Sequence, residues 1–225
     1  MTETTKIEFN FVHKDSYGAA LEVAKKFVSQ SLLRPMLTYA FHAKNGDMFA
    51  TDSHRAIHIK NVHGLEKDYL VNPKNYMFAT GTYPDLYRVM DKEKHVLAIT
   101  LNKNQIKLWL QLFKSINNTL KVMKSTIRNK AVTLNFTEKN VVAEVKIDAE
   151  NAFQTILPTQ AFEVPKFNTI SFSAEYMRDA LEAHFKLNSE QLKIYFLTQM
   201  TPIILDDDTL VKTVVLPIRK YGDEE

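Results

Sequence analysis

The chain has 225 residues, 45% hydrophobic and 24% charged, with a formal net charge of +3. That balance fits one large or two small globular domains with a real apolar core. It has no cysteine and only five glycines, which excludes disulfides, thiolate metal sites, a thiol nucleophile and a Gly-rich phosphate loop. In chain order, residues 5–12 alternate as a strand, and Asp15 or Ser16 is placed to cap a helix. Its apolar stripe is Tyr17, Leu21, Ala24 and Phe27/Val28, and Arg34-Pro35 breaks it. Residues 36–43 read as a strand, Asn45-Gly46 as a hairpin turn and residues 47–61 as the returning strand. A short strand at 69–71 ends at Pro73, and residues 72–91 are irregular.

Residues 95–101 restart as a strand and lead into a helix over 103–117. Four strands follow near 119–127, 130–137, 140–148 and 152–157, and residues 158–165 form a connector. A strand at 168–173, a helix at 174–186 and strands near 191–198, 202–206 and 211–219 complete the chain. One strand–helix unit therefore recurs. Ile7-Glu8-Phe9 leads into Tyr17, Leu97 to Leu101 leads into Gln105, and Ile170-Ser171-Phe172 leads into Tyr176. Such repetition points to a modular scaffold built by duplication. The expected class is α+β, with repeats of antiparallel sheet and amphipathic helices on one side, divided into units 1–94 and 95–225.

Chemistry-bearing motifs are sparse. His54 and His58 stand four apart, but in strand-like text and without a third ligand at a useful spacing. Asp52-Ser53-His54 is no relay, because neighbours on a strand point to opposite faces. Asp206-Asp207-Asp208 between two strands is either a cation site or a solvated turn. No catalytic residue, metal or cofactor is expected. Between Lys103 and Lys130 the chain carries Lys107, Lys114, Lys121, Lys124 and Arg128 and no acid at all, while acids gather at 206–208 and 223–225. Those cations either solvate a helix face or meet phosphate. Met1-Thr2-Glu3-Thr4-Thr5 lacks the features of a signal peptide, and no apolar run approaches the ~20 residues of a membrane span. A cytoplasmic location is expected.

Four separated segments carry a family likeness. They are Arg34-Pro35-Met36-Leu37; Phe49-Ala50-Thr51-Asp52-Ser53-His54-Arg55-Ala56; Gly81-Thr82-Tyr83-Pro84-Asp85-Leu86-Tyr87-Arg88-Val89-Met90; and Val214-Val215-Leu216-Pro217-Ile218-Arg219. In order, they resemble the Arg-Pro-x-Leu, Ala-Thr-Asp-Gly-His-Arg, Gly-x-Phe-Pro-Asp and Val-Val-Met-Pro-Met-Arg segments of the bacterial sliding clamp, the β subunit of DNA polymerase III. The chain is similar to that family's second and third domains, with a shortened N-terminal unit and no counterpart of the first domain.

The resemblance implies a non-catalytic protein of DNA replication in a bacterial or phage-infected cell. It implies a pocket for clamp-binding peptides of polymerases and other replication proteins, walled by Leu37, Thr51, Ser53, His54, Arg55, Ala56, Pro84, Arg88, Val89, Val214, Leu216, Pro217 and Ile218. Without the family, Leu37, Val89 and Val214 read equally well as core. The resemblance also implies sequence-independent contact with duplex DNA through Lys25, Lys26, Lys103, Lys107, Lys114, Arg178 and Lys186. Two readings of the assembly stay open: an oligomer that encircles DNA, or a mobile-element decoy or adaptor that binds partners without encircling it.

Overall fold

The computed structural model describes residues 10–123, 131–146 and 151–218. Residues 5–9 of the first expected strand, together with Lys124, Arg128, Lys130, Arg219 and the acidic residues at 223–225, lie outside them. Helix α1 spans Tyr17–Ala24, and Ser16 precedes it without a side-chain capping bond. It ends well before Arg34-Pro35. The Lys26 and Phe27 N–H groups donate to Val23 and Ala24 in tighter turns, which turn Phe27 and Val28 into the core. Where a strand was expected from residue 36, Pro35–Thr38 forms a 3-10 turn. Proline presets its first φ, and the Thr38 hydroxyl donates to the Pro35 carbonyl at 2.7 Å.

Strand β1 (Ala40–His42) turns at Asn45-Gly46, where Gly46 adopts φ +91° and a Cβ would meet the His63 carbonyl at 2.7 Å. The expected single strand 47–61 is instead two, β2 (Met48–Thr51) and β3 (Arg55–Ile59), joined by a turn at Asp52-Ser53-His54. The Asp52 carboxylate builds that turn by accepting the His54 and Arg55 N–H groups at 2.9 and 3.0 Å. Ser53 sits at φ +78°, a left-handed conformation that favours glycine. Strands β4 (Tyr69–Val71) and β5 (Phe78–Ala79) finish this unit.

Strand β6 (Val96–Asn102) runs into α2 (Lys103–Val122) through a reciprocal cap. The Asn102 side chain accepts the Gln105 N–H, and the Gln105 side chain accepts the Asn102 N–H, both at 3.0 Å. The helix outruns the expected end at 117. Ile116 and Leu120 continue the buried stripe of Ile106, Trp109 and Phe113, so residues 119–122 are helix rather than strand. Then come β7 (Ala131–Phe136), β8 (Val141–Lys146), β9 (Ala152–Leu157) and, inside the expected connector, β10 (Ala161–Phe162). Strand β11 (Thr169–Ser173), α3 (Ala174–Lys186), β12 (Gln191–Phe196), β13 (Ile203–Asp206) and β14 (Val211–Val215) follow. The last strand stops four residues early. Beyond it Pro217 bridges to Phe172, and the Ile218 N–H donates to the Ser171 carbonyl at 2.7 Å.

The fold is α+β with antiparallel sheets. Ten strands form one sheet in the order β10-β6-β12-β13-β14-β3-β2-β1-β4-β5, and four form another in the order β11-β7-β8-β9. The three described α-helices pack together, α2 and α1 each against α3. A large core gathers Trp109, Phe113, Phe172 and residues of both sheets, and a smaller one joins Phe27, Met48, Ile57 and Ile59 to Ala183 and Leu187 of α3. The long sheet crosses residue 94 through the β3–β14 seam, whose register runs from Arg55–Val215 to Ile59–Val211. Lys92 reinforces that crossing with ion pairs to Asp206 at 2.9 Å and to Asp208.

Candidate functional site

The β3–β14 seam brings distant residues together. Val214 lies opposite Ala56, and the Leu216 N–H donates to the His54 carbonyl at 2.9 Å. The 3-10 turn supplies Arg34, Met36 and Leu37 from one side, and the loop after β5 supplies Pro84, Leu86 and Val89 from the other. Between them lies an open groove of about 320 Å³. Leu37, Ala56 and Val214 make a buried floor, whereas Met36 and Val89 are 42% and 45% exposed. Exposed apolar walls over a buried apolar floor suit one or two large apolar side chains of a ligand.

Leu37, Thr51, Ser53, His54, Arg55, Ala56, Pro84, Val89, Val214 and Leu216 all line this groove. Arg88, Pro217 and Ile218 do not. Arg88 is exposed on the turn outside it, and the chain after Leu216 is drawn away toward β11. Three lining residues were not anticipated: Arg34, Met36 and Leu86. The tight winding at Pro35 puts Arg34, Met36 and Leu37 around one mouth, a consequence that reading the segment as an extended strand conceals.

The polar groups divide into occupied and available ones. The Thr51 hydroxyl donates to the Arg55 carbonyl at 2.8 Å and accepts the Ser53 N–H at 3.1 Å, so it serves the turn. The Tyr83 hydroxyl accepts the Thr51 N–H and donates to the Tyr39 carbonyl, and burial pushes this phenol far above its ordinary pKa. The His54 imidazole is exposed beside Tyr176, and Arg34 reaches across the mouth to the Ser53 hydroxyl at 3.1 Å. Arg55 is spent on the scaffold. Its guanidinium pairs with Asp52 at 3.0 Å and with Asp179, and it lies over the Tyr176 ring at 4.6 Å.

A larger cleft of about 820 Å³ opens on the other side of the same turn and carries Lys25, Lys26, Arg178 and Lys186. Most of this charge is balanced locally. Lys26 pairs with Glu182 at 2.6 Å, Arg178 with Asp179 at 2.7 Å and Glu175 at 3.3 Å, and Lys186 with Glu22 at 3.6 Å. Burial acts against the Glu182 carboxylate, yet the Lys26 hydrogen bond and the charges of Lys26, Lys114 and Lys186 hold its pKa below the usual range. On α2, Lys103 pairs with Glu190 at 2.6 Å. Lys107 and Lys114 are exposed and have no ion pair among the described residues.

The candidates for chemistry are structural. His58 is buried and its Nε2 bonds Asp47 at 2.8 Å, while His54 faces solvent, so the two share no ligand position. Asp206 and Asp208 are taken by Lys92, Lys193 and Lys212, and Asp207 accepts backbone N–H groups of its own turn. Ser189 sits between His184 and Asp207, and His184 is fully buried with a pKa pushed by burial down to about 4. A nucleophile relay needs the histidine in the middle. Among the described residues no group of three His, Cys, Asp or Glu side chains is arranged to hold a metal.

Solved structures share this fold. The Bacillus subtilis DNA polymerase sliding clamp superposes with a TM-score of 0.73 and 17% identity, over 97% of this chain and 68% of the clamp. The fold is that of a bacterial sliding clamp. The DNA polymerase III β chain of Streptococcus pneumoniae gives 0.72 at 20% identity, over 97% of this chain and 67% of that one. A Helicobacter pylori β clamp bound to a DNA ligase peptide gives 0.69 at 15% identity, over 97% and 69%. No family model and no curated protein sequence matches. The chain thus spans about two thirds of the length of these clamp subunits. Among the described residues no helix is long and apolar enough to cross a membrane.

Proposed function

We propose that this chain is a non-catalytic, clamp-like protein of DNA replication whose groove takes short, partly apolar peptide segments of polymerases or other replication proteins. The observation that carries this reading is the meeting of the His54 turn, the 3-10 turn at Pro35 and Leu216 around one open apolar groove. The peptide-bound Helicobacter pylori clamp with the same fold supports it. In this reading Leu37, Ala56, Val89, Val214 and Leu216 receive a Leu or Phe side chain, and His54 and Arg34 meet the peptide backbone. The test is fluorescence anisotropy with a labelled clamp-binding peptide. Leu216→Asp with Val89→Asp, both at partly exposed positions, is expected to weaken binding by about 100-fold or more at unchanged melting temperature. Undiminished binding overturns the assignment.

The same reading places non-specific contact with duplex DNA on the exposed face of α2, where Lys107 and Lys114 have no ion pair among the described residues. The units 1–94 and 95–225 act as a shortened and a complete clamp module in a bacterial or phage-infected cytoplasm. A second reading, an adaptor or decoy that holds partners without encircling DNA, is favoured by the ion pairs that occupy Lys26, Arg178 and Lys186. Light scattering separates the two readings when combined with retention on closed circular but not linear DNA. An oligomer retained only on circles supports encirclement, and a monomer that ignores DNA supports the adaptor.

A further inference from the structure

Beside the groove lies a second, smaller cavity of about 140 Å³, and the two share Pro84 and Leu86. A segment leaving the groove over the Pro84 ridge therefore enters this cavity next. Its walls are aromatic. Phe41 and Tyr83 stack with centroids 5.4 Å apart, Phe49 forms a buried floor, and Tyr87 stands edge-on to Phe49 at 4.8 Å while remaining 51% exposed. The Tyr87 hydroxyl is fixed from behind. It accepts from the Asn45 amide and donates to the Asp47 carboxylate, both at 3.1 Å.

The charge at this cavity is one-sided. Asp85 lies on its rim, exposed, and accepts only the Tyr87 N–H at 3.0 Å among the described bonds. Asp47, behind Tyr87, has His58 as its nearest basic partner, and burial keeps that imidazole below its ordinary pKa, hence neutral near pH 7. Neither carboxylate has a Lys or Arg ion pair among the described residues. Both carboxylates add to burial in raising the pKa of the Tyr87 phenol. Among the described residues no lysine or arginine lines the cavity. Aromatic faces that meet a carboxylate without a basic partner are the chemistry that holds an organic cation. A purely apolar side chain would bring the Asp85 carboxylate no opposite charge.

We propose that this cavity is a second subsite that takes the ammonium or guanidinium of a Lys or Arg flanking the apolar anchor of the bound peptide, held by Asp85 and the rings of Tyr83 and Tyr87. The proposal rests on the groove reading above and makes it selective. The preferred partner carries a basic residue within a few positions of its Leu or Phe anchor. Asp85 and Tyr87 act as specificity residues.

The test uses the full chain and one labelled peptide with the apolar anchor. Variants of the peptide place a single lysine at successive positions on either side, and matched peptides carry norleucine instead. One lysine position is expected to bind about five- to tenfold more tightly than its norleucine match. Asp85→Asn is expected to erase that difference while leaving the norleucine peptide unchanged, and Tyr87→Ala to reduce it. Equal binding of all lysine and norleucine pairs overturns the subsite and leaves the groove standing. A phenylalanine at that position binding more tightly than lysine also overturns it, since the cavity is then an aromatic pocket. Loss of all peptide binding by the wild-type chain overturns groove and subsite together.

Discussion

On one side of the Asp52-Ser53-His54 turn, Met36, Val89 and Leu216 line an open groove that no side chain among the described residues fills. On the other side Lys26, Arg178 and Lys186 are held by Glu182, Asp179 and Glu22. The first surface keeps its binding capacity unspent; the second has largely satisfied itself. An apolar wall left in solvent is stabilised by any fitting apolar ligand, at ~25 cal/mol per Å² removed from water. A cation already paired must give up its partner before it meets a phosphate. This difference ranks the two proposed activities, with peptide binding intrinsic to the fold and DNA contact dependent on the α2 lysines or on topological trapping.

The largest expected effect falls on the scaffold that both surfaces share. Burial lowers the pKa of His42 and of His184 to about 4, below the ordinary 6.5, so the folded state prefers both rings neutral. Their stabilisation is therefore complete above pH 6.5 and is lost as pH falls toward 4. A 2.5-unit shift corresponds to about 3 kcal/mol for each ring. Urea melts at pH 7 and pH 4.5 check this, and a chain equally stable at both would break it. Next comes the groove pair Leu216→Asp and Val89→Asp, which should remove peptide affinity while any DNA affinity stays unchanged. Loss of both together would mean that the two surfaces are not separate.

Smaller changes sharpen the contrast. Ser53→Gly relieves the left-handed backbone at φ +78° and is expected to stabilise the chain by about 1 kcal/mol in thermal melts. It also frees Arg34 from its bond to the Ser53 hydroxyl. Glu22→Gln with Glu182→Gln releases Lys186 and leaves Lys26 only its longer pair to Asp179 at 3.6 Å, and should raise affinity for a short duplex by about threefold at low salt. No change there would show that the paired lysines never face the DNA.

Much of this arrangement could be read from residue patterns, and the failures have identifiable causes. The helix 174–186 and the strands near residues 130–146 were legible because their apolar spacing is local and uninterrupted. The end of α2 was missed because Thr119, Lys121 and Val122 suit a strand locally, while Leu120 packs as the next turn of the helical stripe. The split between β2 and β3 was hidden because Ser53 stands where glycine would announce a turn. In the groove, the family segments gave Leu37, Ala56, Val89, Val214 and Leu216, all of which line it. They also gave Ile218, which does not line it, since the bond of its N–H to Ser171 depends on where β11 lies, and no local pattern reports that. The neutralised state of Arg178 and Lys186 was legible in part, because Asp179 and Glu182 stand on the same helix, whereas that of Lys26 was not, because Lys26–Glu182 joins residues far apart in the chain.

The β3–β14 seam has a mechanical consequence. Five residue pairs cross it in register, and Lys92 is clasped by Asp206 and Asp208 just ahead of the proposed junction at residue 94. A protease nick in that junction should therefore leave a complex of two fragments that co-elute and melt as one. Fragments expressed apart should reassemble only when mixed, and the apolar groove, which takes residues from each, should appear only in the reconstituted pair.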